Sequence, residues 1–236
     1  MSVAFDFKAQ WGAFRFPSGK AGFVGATGEK DHFMILSGGG LWTSFNVGRP
    51  FFLPWITMDG AGHGNFTAMV HLRDNGRNVW AGLQKLVRAE FADRRPFGVV
   101  EAAGEFADGD LAYRLHVRFT FASGCAGFLA EPTALENIGR KPLVAPAIYL
   151  KANAGGGEKV VPLPEKNGWL YPDGRKTVVT AVDGGKATFW FQGNGYAHPD
   201  VELKTAGAEI AVGATWKPSA PLAAAYAFEP FTEDGK

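Results

Sequence analysis

Residues 111–121 alternate without a break. Leu111, Tyr113, Leu115, Val117, Phe119 and Phe121 fall on one side of an extended chain, and Ala112, Arg114, His116, Arg118 and Thr120 on the other. Successive side chains of a strand point to opposite faces, so this stretch predicts a strand with one face on a core and one toward water or a ligand. The rest of the chain repeats that period in shorter runs. Asn65–Arg73 and Arg77–Leu83 alternate on either side of Asp74-Asn75-Gly76. Asn-Gly between alternating runs predicts a hairpin, because a type I′ turn needs positive φ at both central residues.

Further strands are expected at 33–36, 41–47, 83–91, 99–106, 128–136, 143–151, 177–182, 186–192, 201–205, 210–215 and 223–228, with one or two more in the aromatic stretch 3–16. Asp108-Gly109-Asp110, 137–142 and Asp183-Gly184-Gly185 are expected turns, as are 26–30 and the break Ser37-Gly38-Gly39-Gly40. Arg49–Met58, dense in aromatics and carrying two prolines, reads as irregular or edge structure over the core. Thr133-Ala134-Leu135-Glu136 has the spacing of a helix capping box, but Pro132 and the turn that follows favour a strand. Short strands joined by turn chemistry, with no helical alternation between them, predict an all-β fold: one large antiparallel β-sandwich domain spanning 1–236.

Composition narrows the function classes. With 46% hydrophobic and 20% charged residues the chain is globular, and a net charge of +1 leaves no basic footprint for nucleic acid or anionic membrane. No stretch reaches the ~18 apolar residues of a membrane helix. The single cysteine, Cys125, allows no internal disulfide and is expected as a small buried apolar residue. No cluster has zinc-ligand spacing, and no cofactor motif is present. The first residues lack a charged region followed by an apolar run, so no secretory leader is expected among them. A cytoplasmic location is therefore expected if the chain is complete, and a secreted or periplasmic one if a leader was removed.

Three stretches resemble the galactose mutarotase-like (aldose 1-epimerase-like) supersandwich family. They are Gly48-Arg49-Pro50-Phe51-Phe52-Leu53-Pro54-Trp55 followed by His63-Gly64-Asn65-Phe66, then Ala134–Leu143 with its Asn-x-Gly turn and Lys-Pro return, and Ala227-Phe228-Glu229-Pro230. The resemblance covers about a quarter of the chain. It implies a supersandwich, a carbohydrate partner, and Glu229 in the place of a catalytic base on a late strand. It also implies a histidine acid just after the Lys-Pro return. This sequence has Tyr149, Leu150 and Lys151 there instead, so epimerisation of common aldoses is not expected.

Candidate chemistry gathers at a few positions. His63 lies in Asp59-Gly60-Ala61-Gly62-His63-Gly64, a loop that can bring a side chain to a ligand or leave it in solvent. His71 and Arg73 share one face of their strand, and Arg114, His116 and Arg118 share one face of theirs. Rows of this kind suit a polar or acidic oligosaccharide through charge-assisted hydrogen bonds, or form an ordinary solvent-facing surface. Trp190, whose parity differs from that of Phe189 and Phe191, is a candidate stacking platform, and Trp169 another on a loop. Asp59, His63 and His71 match no strong metal pattern. The leading expectation is a sugar-binding or accessory sandwich whose polar sheet face forms one ligand groove. A second is an epimerase with Glu229 as base and His63, His71 or His116 as acid. The third is a sandwich that self-associates through apolar edges without a small ligand.

Overall fold

The structure, a computed structural model, describes all residues except 1–24, 30, 38–40, 59–60, 95, 155–158, 183–185, 193–195, 205–207, 218–222 and 230–236; for 25–29, 186–192, 196–204 and 229 it describes the backbone alone. β1 (Gly25–Glu29), β2 (His32–Leu36), β3 (Leu41–Asn46), β4 (Trp55–Met58) and β5 (Ala61–Gly62) form a first sheet in that order. The hairpin β6 (Asn65–Asp74) and β7 (Arg77–Gly82) opens a second sheet. A meander of long strands follows: β8 (Lys85–Arg94), β9 (Phe97–Asp108), β10 (Leu111–Ala122) and β11 (Gly127–Asn137). β12 (Val144–Asn153) returns to pair with β6. β13 (Val161–Pro162), β14 (Gly168–Leu170) and β15 (Lys176–Val182) extend the meander's sheet. β16 (Lys186–Gln192) and β17 (Tyr196–Lys204) complete the second sheet, and β18 (Thr215–Trp216) and β19 (Ala223–Glu229) the long one.

The sheets make two layers. The long sheet runs β13-β14-β15-β19-β11-β10-β9-β8, with β18 on β11, and the second sheet runs β16-β17-β12-β6-β7. Every pairing among the described strands is antiparallel. The first and second sheets adjoin through the bridge Leu53↔Phe66 and the backbone bonds Ile56 N–H to Gly64 O and His63 N–H to Ile56 O. Together they cover one face of the long sheet. Phe119 of β10 meets Phe45 of the first sheet at 5.4 Å and Phe66 of the second at 5.4 Å, ring centre to ring centre. Each buried phenylalanine contributes about 1.5–3 kcal/mol, which makes this aromatic seam the core.

β10 behaves as its alternation predicts. Tyr113, Leu115, Val117, Phe119 and Phe121 are fully buried, while Arg114, His116 and Arg118 lie on the other face, partly exposed. Pro132, which has no N–H for a ladder, is accommodated by a bulge: the register shifts between His116 and Val117, and Thr133 is left unpaired. The Asn75-Gly76 turn has φ of 48° and 78°, as a primed turn requires. In the 137–142 turn, buried Asn137 donates through Nδ2 to the carbonyls of Lys141 and Ile210 and accepts from Gly139 N–H.

Some expectations need correction. Residues 25–29 form a strand, not a turn: small residues can extend at a sheet edge, and the reversal falls after Glu29, which pairs with His32. Residues 55–58 join the first sheet as β4, although 49–54 are irregular. The run 210–215 is not a strand. Ile210 makes an isolated bridge to Leu143, Gly213 turns at φ 73°, and pairing starts at Thr215. Trp169 lies fully buried in β14 and not on a loop, because its strand pairs it with Thr177 on the inner face. Cys125 is exposed, since it sits in the turn between β10 and β11. The expected strands at 3–16, and the turns at 38–40 and 183–185, lie outside the described residues.

A buried polar bond crosses between the layers. The Tyr113 hydroxyl donates to the carbonyl of Ala81 on edge strand β7, and burial pushes the phenol's pKa up, so the hydroxyl stays a donor. Tyr113→Phe removes this bond, while the carbonyl keeps its ladder partner Val70. It is expected to cost about 0.5–1.5 kcal/mol of unfolding free energy. Urea denaturation of the variant beside the wild type checks this, and an unchanged midpoint would contradict it.

Candidate functional site

The inward parity of β6 and β10 meets in one core, so their outward residues leave on opposite sides of the sandwich. His71 and Arg73 therefore lie on the outer face of the second sheet, and Arg114, His116 and Arg118 on the outer face of the long sheet. The structure gathers each row but does not bring the two together. The single groove expected from both is not formed, because both strands spend their apolar sides on the same core.

On the long sheet the cations are already partnered. Arg114 donates to Glu105 on β9 and, at 3.1 Å, to Glu136 on β11; His116 Nε2 donates to Glu136 at 2.8 Å; Arg118 donates to Glu101 at 2.7 Å. The hydrogen bond with Glu105 raises the Arg114 guanidinium above its ordinary value, and Glu101 does the same for Arg118. Burial works against the Glu105 charge, yet Arg114 and Lys85 outweigh it and hold that carboxyl below its usual range. The face is a ladder of compensated charges.

The second sheet's outer face differs. The two-residue turn sets Asp74 opposite Arg77, and so His71 opposite Trp80. Trp80 is 55% exposed, and its indole lies 4.7 Å from the His71 ring and 5.0 Å from that of Tyr149 on β12. Two residues along, Gly82 adds no side chain, and a Cβ there would meet open space. Opposite His71 and Arg73, β12 bulges: the register shifts between Val144 and Ala147, and Ala145 has φ 46° although it precedes a proline. A non-glycine residue in that region costs about 1–3 kcal/mol, and bulges of this kind re-aim side chains beside sites. The His71 Nε2 is covered and has no hydrogen-bond partner, so the imidazole underlies the indole as a spacer. Trp80 was not singled out from the sequence, yet counting back from the Asn-Gly turn pairs it with His71.

The remaining candidates lie elsewhere. His63 is buried, neither on a solvent loop nor in a cleft. It is wedged between the layers with Tyr171 and Phe228 edge-on at 5.6 and 5.2 Å, and its Nδ1 lies 3.4 Å from Thr177 Oγ1. Gly64 can follow it because a Cβ there would strike the Asn153 carbonyl. Arg175 clamps this corner, donating to the Gly62 carbonyl and to Asp173 and stacking over Tyr171 at 4.2 Å. Glu229 ends β19 opposite Lys176, and Trp190 lies on β16, opposite His198 of β17; the side chains of Glu229 and Trp190 fall outside the description. Leu150 points into the core. Among the described residues no three His, Cys, Asp or Glu converge as metal ligands would, and no helix is long and apolar enough to cross a membrane. Asp59 is not among them.

No protein-family model matches the chain, and a search of curated proteins finds no significant match to its sequence. Solved structures do match in fold. The GH36 α-galactosidase AgaB from Geobacillus stearothermophilus aligns with a TM-score of 0.52 at 8% identity, over 88% of this chain and 41% of that one. The Slr1438 protein from Synechocystis sp. PCC 6803 aligns at 0.50 and 10% identity, over 92% and 99%. A Klebsiella pneumoniae structure provisionally designated an aldose 1-epimerase aligns at 0.48 and 11%, over 85% and 81%. The chain is an all-β antiparallel sandwich, and the likeness to the α-galactosidase and to Slr1438 is one of fold alone. Against the α-galactosidase it spans less than half of the longer protein.

The buried histidine makes stability depend on pH. Burial above all, then the nearby Arg175 charge, lowers the His63 pKa from 6.5 to about 4, with Asp173 opposing weakly. The unfolded chain takes up that proton near 6.5, whereas the folded chain holds it off until about 4. The contribution is complete above pH 6.5, falls as pH drops through that interval, and amounts to about 3 kcal/mol in all. Unfolding free energies at pH 7 and 4.5 should therefore differ by about 2–3 kcal/mol more for wild type than for His63→Phe. Equal differences would show that His63 takes up its proton at the same pH folded and unfolded, so that burial does not depress its pKa.

Proposed function

We propose that this chain is a carbohydrate-binding sandwich that takes a pyranose ring on the outer face of its second sheet, with Trp80 as the stacking platform. The observation that carries this is a half-exposed indole held by His71 and Tyr149 on paired strands. A sugar ring offers an apolar C–H face to an aromatic plane, and its hydroxyls meet polar groups at the rim. Arg73 and Asn78, the next pair along on the same face, two register positions away, supply such groups. The names of the α-galactosidase and the designated aldose 1-epimerase agree with this ligand class.

Binding is favoured over epimerisation by the state of the three histidines that would supply an acid. His63 is buried and neutral at pH 7, the His71 Nε2 is covered, and His116 is engaged by Glu136. A general acid has to reach the ring oxygen within hydrogen-bond distance.

A glycan array read with the full chain should return oligosaccharide hits, and Trp80→Ala should weaken them about tenfold, the equivalent of about 1.4 kcal/mol. Circular dichroism should confirm an unchanged fold, and binding should shift the wild-type tryptophan fluorescence. Full affinity in Trp80→Ala would remove the platform. In polarimetry, galactose and glucose should mutarotate at the buffer rate. Rapid mutarotation lost in Glu229→Gln would put the epimerase reading in its place.

A further inference from the structure

We infer that the Trp80 platform is selective for pyranosides bearing an oxyanion, a carboxylate or a sulfate ester, and that Arg73 is the residue that selects them. This rests on the reading of Trp80 as a sugar platform and names its ligand class. Arg73 pairs with Asn78 and His71 with Trp80, so Arg73 and Trp80 are diagonal neighbours, about 7–8 Å apart and within reach of long side chains. A ring stacked on the indole thus places a substituent at its rim over the guanidinium.

Charge bookkeeping on the two outer faces locates the site. On the long sheet Lys85, Arg88, Arg114 and Arg118 all contact glutamates. On the second sheet the outer parity of β6, β7 and β12 carries Arg73 and Lys151 and no carboxylate. Asp74 and Arg77 face each other on the inner parity at the turn, where Asp74 is held by Lys141 at 2.8 Å. Arg73 is exposed, and no carboxylate among the described residues holds it. At the other side of the sheet, Asp200 and Glu202 of β17 are register partners of Lys151 and Tyr149. The uncompensated positive end is therefore the one beside Trp80. The bulge at Ala145 lies across from Arg73, where the register of β12 breaks. A guanidinium presents parallel N–H donors that match a carboxylate or sulfate with two hydrogen bonds, which a neutral hydroxyl cannot accept in the same way.

The test uses three oligosaccharides of matched length and linkage, one with a uronate carboxylate, one with a sulfate ester and one neutral, titrated by tryptophan fluorescence and calorimetry. Wild type should bind at least one anionic member about tenfold more tightly than the neutral one at low salt. That advantage should shrink as salt rises, and the stronger anionic arm identifies the oxyanion. Arg73→Gln should bring the anionic and neutral ligands within about twofold of each other, Arg73→Lys should restore part of the gap, and Trp80→Ala should weaken all three. Equal affinities in wild type, or an undiminished preference in Arg73→Gln, overturn the inference while leaving the platform standing. If none of the three binds, the platform reading fails and the inference with it.

Discussion

The packing of Phe119 between Phe45 and Phe66 is the contact on which the architecture depends. It draws one face of the long sheet against two sheets at once, and those two are joined edge to edge by the Leu53↔Phe66 bridge. Everything that can meet a ligand is fixed by what this seam consumes. With the inner parity of β6 and β10 committed to one core, the polar parity of each must leave on opposite sides. A one-residue slip of either strand would bury arginine and expose phenylalanine, which is why the register is not negotiable.

Much of this was legible along the chain because hairpins carry register in their turns. The alternation of 111–121 stated which side of β10 would be buried. The Asn75-Gly76 turn contained more than was taken from it, since a two-residue loop pairs Asp74 with Arg77 and thereby His71 with Trp80. The turn after Asp108 likewise pairs Arg114 with Glu105 and Arg118 with Glu101. Reading the cationic row in isolation made it look available. Reading it across the turn shows each arginine facing a glutamate. The compensated ladder was therefore written in the sequence, one strand away from where it was sought.

Other features were not legible, for reasons of distance and length. The surroundings of His63 come from Tyr171, Arg175, Thr177 and Phe228, more than a hundred residues downstream, and no local pattern announces them. A glycine-rich loop reads as exposed until another layer closes over it. β14 has three residues, too few to show a period, so buried Trp169 looked like a loop residue. Gly25–Glu29 has the composition of a turn and becomes a strand because the neighbouring strand offers it a ladder. In each case tertiary pairing overrides local preference.

The two outer faces illustrate how a sheet can carry charge without offering it. Exposed ion pairs of the long sheet contribute about 0.2–1 kcal/mol each, so their effect on stability is small. Their effect on availability is larger. An anion approaching Arg114 has to displace Glu105 and Glu136, which the fold holds beside it at high effective concentration. Arg73 faces no such competitor among the described residues, and the neighbouring strand holds Trp80 diagonal to it. The indole also pays for its exposure: an apolar surface left in water on a well-formed sheet is a standing cost that covering it by a ligand would relieve. An unsatisfied cation and an uncovered ring, placed together by one hairpin, make this face the one with something to gain from binding, whereas the long sheet's ladder has already formed the bonds it is able to form.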